Sequence, residues 1–371
     1  MKYLKYISPA ILLFFMSCTK GYLDVNTDPN NPTEMAEAKL LPNAQKALAD
    51  YLGFGAGGAS GFSYVLSVYT HQITMREYPD KYGTEGVNLN TAWTAIYTDA
   101  IRNCEEIIKN AEEPGNTLYS GIAKILKAYA YSQLVDVFGD IPFSESNDYQ
   151  GGAGFGAPAF DQGKDIYPQL FALLDEGIAD LNNTTAANPN KPGSDDLIYG
   201  GKAASWINAA NTIKLKLYNQ ARLVQDVSGP VNELLSGGKL IGSTAASFAF
   251  PYGTASSPDE RSPFFADYFA TQRSINISPW FYEIMKGYNM KDVNGMTKDF
   301  NVFSGIKDPR VPYYFFNQLE PDEENVEGNQ IEYRDGGFSS IVFGSTGPNR
   351  DKSHDKSTTV MGIYPAGGRY D

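Results

Sequence analysis

The sequence predicts a mostly α-helical protein built from tetratricopeptide-like helical hairpins, with a long loop-rich insertion. Two observations predict it. Apolar residues recur at helical spacing along four successive stretches separated by turn signals, and past Gly229 the composition shifts to Gly, Pro, Ser, Asn, Tyr and Phe.

The clearest stripe is Trp93, Ile96, Tyr97, Ala100, Ile101, Cys104, Ile107, Ile108 and Ala111, which Pro114-Gly115-Asn116 stops. A second runs through Ile122, Ile125, Leu126, Tyr129, Ala130, Leu134 and Phe138. It closes at Gly139-Asp140-Ile141-Pro142, where glycine supplies a C-terminal cap and proline cannot continue the helix. So short a link makes the two helices an antiparallel hairpin. After a Gly-rich stretch at 151–156, Asp165 precedes Ile166, Leu170, Leu173, Leu174, Ile178 and Leu181. A loop containing Pro189 and Pro192 then leads to Trp206, Ile207, Ala210, Ile213, Leu217, Ala221 and Val224. Two hairpins in succession read as a degenerate helical repeat of tetratricopeptide type. Beyond Gly229 one short helix is expected, at 280–286, and the aromatic content there points to folded loops, because disordered segments are poor in aromatics.

The chain begins with Lys2 and Lys5, an apolar run at 7–16, and Ser17-Cys18. That order describes a secretory leader. The run is too short for the ~20 residues of a bilayer-crossing helix. Phe15-Met16-Ser17-Cys18 also has the order of a bacterial lipobox, so residues 1–17 are expected to be removed and Cys18 to be acylated. Two or three acyl chains anchor a protein stably without a transmembrane helix. Residues 18–35, rich in Asn, Pro and Asp, read as a tether, and 36–371 as a single binding domain.

The formal charge of −13 becomes −15 once the two leader lysines are gone. Like charges repel phosphate backbones, which makes nucleic acid an unsuitable partner. With Cys18 acylated, Cys104 is the remaining thiol and can form no internal disulfide. Stability must come from burial, for which a chain of 371 residues that is 42% apolar has ample material.

Motifs for chemistry are incomplete. Gly53, Gly55 and Gly58 have the dinucleotide spacing but follow a predicted helix instead of a strand, so a turn is the better reading. Asp24, Asn26 and Asp28 imitate a calcium loop, yet Pro29 and Met35 stand where glycine and a bidentate glutamate are required. The only histidines are His71 and His354, and no nucleophile elbow or zinc-binding pair is present. Cys104 lies on a buried stripe, where cysteine serves as a small apolar residue. No cofactor, metal or catalytic residue is expected. A surface hydrolase, or a structural cell-surface subunit, is the rival reading.

Aromatics offer a different chemistry. Sugar rings and peptide side chains stack on Trp and Tyr, while neighbouring polar groups satisfy hydroxyls or amides. The candidates outside the stripes are Trp280, Tyr78, Tyr82, Phe316 and Tyr333. Trp280 ranks first, because Ser278-Pro279 favours a helix start and puts the indole on an exposed first turn. Tyr78 and Tyr82 flank Pro79 and offer a second face.

Several runs together resemble the SusD/RagB family of nutrient-binding outer-membrane lipoproteins. They are Cys18-Thr19-Lys20-Gly21-Tyr22-Leu23-Asp24-Val25-Asn26, Leu134-Val135-Asp136-Val137-Phe138-Gly139-Asp140-Ile141-Pro142, Tyr199-Gly200-Gly201 with Trp206, Asp308-Pro309-Arg310, and Pro365-Ala366-Gly367-Gly368-Arg369-Tyr370. The resemblance implies a helical, SusD-like fold anchored on the outer membrane and facing outward. It also implies capture of a glycan, oligosaccharide or peptide, and delivery to a SusC-like TonB-dependent transporter barrel. Family members usually run on past Gly-Gly-Arg-Tyr-Asp, whereas this sequence stops at Asp371, so it reads as a fragment or a short form.

Overall fold

The computed structural model describes residues 35–56, 60–75, 89–146, 157–268, 275–288, 290–291, 297–298, 302–323, 332–345 and 358–362. Cys18 and the leader, and Tyr78 and Tyr82, lie outside these residues, as do His354 and the 365–370 run.

The N-terminal part is the expected helical array. Helix α1 (Glu37–Leu52) is followed by α2 (Phe62–Tyr69), strand β1 (Ile73–Met75) and α3 (Leu89–Ala95). A π-helical stretch, Ile96–Ile101, joins α3 to α4 (Arg102–Glu112). Helices α5 (Thr117–Phe138), α6 (Gly163–Leu181), α7 (Ala203–Ala221) and α8 (Ser228–Gly237) complete it. The wide π turn keeps Ile96, Ala100, Ile101 and Cys104 all inside the core. Burial pushes the Cys104 thiol up to about 12, with Glu105 adding to the effect, so the side chain is an apolar filler and no nucleophile.

The stripes hold along their length with one exception. Ile122, Ile125, Leu126, Leu134, Ile166, Leu170, Leu174, Trp206 and Leu217 are fully buried. Val224, expected as the last residue of its stripe, is 87% exposed, because α7 has already ended at Ala221.

Two features set how the helices meet. Gly121 of α5 faces Gly177 of α6, and a Cβ on Gly121 would lie 2.8 Å from the Gly177 carbonyl oxygen. The glycines let the backbones approach closely. Gly139 adopts φ 78° and donates to the Val135 carbonyl, closing α5 as its sequence suggests. Asp140 then accepts from Gly163 N–H at 3.0 Å, so the residue after one helix caps the next.

Asp196, 2% exposed, organises the α1–α7 junction. Its carboxylate accepts from Gln45 Nε2 at 2.7 Å, Trp206 Nε1 at 2.8 Å and Gly201 N at 2.7 Å. Ile198 and Tyr199 N–H donate to the same group at 3.2 and 3.3 Å. The Tyr199-Gly200-Gly201 and Trp206 signature is thereby a scaffold element.

The second half departs from the expectation of loops with one helix. It holds α9 (Pro263–Tyr268), β2 (Ile275–Ile277), α10 (Pro279–Lys286), β3 (Met290–Lys291), β4 (Thr297–Lys298) and α11 (Val311–Tyr314). Strands β5 (Phe315–Phe316), β6 (Tyr333–Asp335), β7 (Phe338–Ser340) and β8 (Val360–Met361) follow. Among the described residues the strands pair antiparallel as β1–β2, β3–β4, β5–β8 and β6–β7. Elements of two or three residues carry no readable period.

Two small cores support this half. One gathers Phe54, Tyr64, Val65, Ile73, Ile275, Phe316 and Val360, and the other gathers Ile277, Tyr282, Met285, Phe315 and Phe338. The glycine turn after α1 seats the first of them: Gly55 has φ 99°, and a Cβ on Gly61 would lie 2.3 Å from the Gly53 carbonyl oxygen. Close backbone approach explains Gly53 and Gly55, while Gly58 lies outside the described residues. No helix among the described residues is long and apolar enough to cross a membrane.

Candidate ligand-binding shelf

Helix α10 brings together two of the five sequence candidates, Trp280 and Tyr333. Pro279 occupies its first turn with the φ a helix needs, and Ser278 N–H donates to the Gln72 carbonyl at 3.1 Å, tying the helix start to the residue just before β1. Trp280 therefore emerges in the first turn, as expected.

Its indole is not bare. The ring lies 4.6 Å from the His71 ring and stacks on Phe343 at 5.9 Å and 22°. His71 in turn meets Phe343 edge-on at 4.0 Å, so three rings form one cluster. The indole is half-buried, which corrects the expectation of a fully exposed platform. His71 reaches the cluster from a left-handed backbone, φ 54°, at the bend between α2 and β1. Such a conformation is strained for histidine. The sequence reading missed His71 and Phe343. An unusual φ leaves no mark in a single sequence.

The β6–β7 hairpin delivers the second group. Tyr333 hydroxyl donates to Glu283 Oε1 at 2.8 Å, and Glu283 sits three residues after Trp280 on the same side of α10. Burial first, and then the bond to Glu283, hold the Tyr333 phenol protonated well above its ordinary range. Phe343 leaves the far end of the same hairpin, so one supersecondary unit places both aromatics against α10.

Behind Tyr333 is a polar cluster. Tyr282 and Tyr288 hydroxyls both donate to Asp335 Oδ2, at 2.6 and 3.0 Å. Lys286 Nζ lies 3.9 Å from the same carboxylate and 5.4 Å from each tyrosine ring. Tyr282 stacks on Phe338 at 3.8 Å, anchoring the cluster to the core below. Tyr288 and the Asp335 side chain remain more than a third exposed.

Phe316 does not join this surface. It is 7% exposed, paired in β5 with Val360, and its ring fills the core beneath β1–β2. Both residues of β5 are buried, Phe316 in this core and Phe315 in the other, so the role of Phe316 is packing and not ligand contact. Tyr78 and Tyr82 belong to the segment directly after β1, outside the described residues.

Helix α10, Tyr288 just beyond it and the β6–β7 hairpin thus carry an indole, three phenols, two carboxylates and an ammonium. That mixture can stack the apolar face of a ring and bond its hydroxyls. Among the described residues no group of three His, Cys, Asp or Glu side chains is placed to hold a metal ion.

A sequence model of the SusD-like family, described as starch-binding and associating with the outer membrane, matches residues 29–361. No curated protein matches the sequence. Among solved structures, a SusD/RagB family protein from Bacteroides thetaiotaomicron superposes with a TM-score of 0.60 at 19% identity, over 88% of this chain and 62% of that one. A chitin-binding SusD homolog from Flavobacterium johnsoniae gives 0.59 at 18% identity, over 88% of this chain and 61% of the other. A further chitin-binding protein gives 0.58 at 20%, over 88% and 64%. At these identities the likeness shows the fold. The chain spans less than two thirds of the length of these solved relatives.

Proposed function

The chain belongs to the SusD-like family, and from that premise we propose that it is an outer-membrane lipoprotein that captures a glycan and passes it to a TonB-dependent transporter barrel. The α10 shelf is the observation that carries the glycan reading. Trp280, backed by His71 and Phe343, supplies a rigid stacking surface, and Glu283, Tyr333, Asp335 and Lys286 supply the hydrogen-bonding groups a sugar's hydroxyls require. Rigid backing matters, because a ring already held by neighbours loses little freedom when a ligand arrives. The names of two solved relatives as chitin-binding support the same ligand class. The lipobox at Cys18 supports the anchor.

The shelf offers no activated nucleophile. Tyr282 and Tyr333, the groups closest in kind, have their phenols held well above the ordinary range, first by burial and then by hydrogen bonds to Asp335 and Glu283. A binding role suits such groups better than catalysis.

Affinity electrophoresis of the purified protein through gels containing starch, chitin, xylan or β-glucan tests the proposal. Retardation by one of these polysaccharides, without release of reducing sugar, is the expected result. Migration unchanged in every gel, or turnover of a retained polymer, would overturn it.

A further inference from the structure

A cavity of about 900 Å3 lies between the β1–β2 ladder, α10 and the segment leading into α11. Tyr64, Ile275, Phe281 and Phe315 are among its walls. It opens to solvent along the exposed Phe303 and Ile306. It falls within the ~300–1,000 Å3 range of small-molecule sites. Trp280 is not part of its lining.

The walls are mainly apolar, with Ser63, Ser67 and Gln72 among the few polar groups, so an apolar body fits them better than a sugar, whose many hydroxyls need partners. The mouth has a different character. Phe303 and Ile306 stand there 53% and 64% exposed, continuing the apolar surface outward. Beside them Asp308 and Arg310 neutralise each other through a 2.6 Å ion pair. Lys307, also on the rim and exposed, has no hydrogen-bond or ion-pair partner among the described residues.

We propose that this cavity is a second binding site, for an amphipathic small molecule with an apolar body and one anionic group, the body filling the cavity and the anion meeting Lys307. One uncompensated cation at an apolar mouth fixes the ligand's charge, and the mainly apolar walls fix the character of its body. A flat protein partner would not reach the inner walls.

Anilinonaphthalene sulfonate, which has an aromatic body and a sulfonate, tests the site by fluorescence titration, with uncharged phenylnaphthylamine as its neutral counterpart. One saturable equivalent of each probe is expected. Ile284→Trp fills the cavity and Ile306→Trp blocks its mouth, the second at an exposed position that does not endanger folding. Each should weaken both probes by about tenfold or more, the scale on which pocket shape discriminates. Lys307→Glu should weaken the sulfonate by about three- to tenfold and leave the neutral probe unchanged. Absence of saturable binding, or binding indifferent to both tryptophan variants, would overturn the site. A Lys307→Glu effect equal on both probes, or absent on the sulfonate, would overturn the anionic class.

Discussion

Replacing Asp196 by alanine removes the acceptor on which the α1–α7 junction depends. Three short bonds are lost, from Gln45 at 2.7 Å, Gly201 at 2.7 Å and Trp206 at 2.8 Å, and all three donors stay where water does not reach easily, around a residue 2% exposed. A hydrogen bond to a charged group contributes ~1.5–3 kcal/mol, so independent losses would total roughly 5–9 kcal/mol. Bonds to one carboxylate are not independent, so the expected loss is below that sum, ~3–5 kcal/mol. Against a net stability of ~5–15 kcal/mol, that is a large share. Trp206→Phe deletes a single one of these bonds and should cost ~1–3 kcal/mol. Urea unfolding followed by circular dichroism measures both variants. An Asp196→Ala midpoint equal to that of wild type, or a loss no larger than that of Trp206→Phe, would refute the assignment of Asp196 as the junction's shared acceptor.

Gly121→Ala should destabilise by ~1–3 kcal/mol, because its Cβ would lie 2.8 Å from both the Gly177 carbonyl oxygen and Leu181 Cγ. A thermal melt within error of wild type would show that α5 and α6 can separate freely. Acid should weaken the fold between about pH 4 and pH 2. Backbone N–H of Ser144, foremost, holds Asp161 below its ordinary 3.8, and Arg310 holds Asp308 at about 2. Depressed carboxylates stabilise above their unfolded pKa, and that contribution is lost as pH falls through the folded value. Unfolding followed by circular dichroism against pH checks it: Asp161→Asn should flatten the dependence in that window, and an unchanged profile would contradict it. Cys18→Ser should release the protein from membranes, and mass spectrometry of an unmodified mature N-terminus would count against lipidation.

Much of the helical half is legible in the sequence because a helix repeats its signal many times. The stripe from Ile96 to Ala111 spans several turns and every turn restates it. Val224 shows the limit, since a stripe does not say where the backbone stops coiling. The shelf is only partly legible. Trp280 announces itself through Ser278-Pro279, a local signal, and Tyr333 through its place in a loop-like region. His71 and Phe343 are brought to Trp280 by the β1 bend and the β6–β7 hairpin, which are contacts across long sequence separations. Phe316 is buried where a ligand contact is expected, because a two-residue strand has too few residues to show that both of its faces are covered.

The central claim is that Trp280 is the stacking surface of a glycan shelf, and one pair of titrations addresses it. Calorimetry should use an oligosaccharide of whichever polysaccharide retards the protein, on wild type and on Trp280→Ala, with a thermal melt of each. An indole stacking on ligand from a half-buried position should lose ~1–3 kcal/mol of affinity on deletion, taking base stacking on aromatics as the nearest analogue. Full deletion of a core aromatic would cost ~3–5 kcal/mol of stability. Affinity should fall by that amount while the melt shifts by less than a core deletion would. Unchanged affinity in a folded Trp280→Ala variant would contradict it.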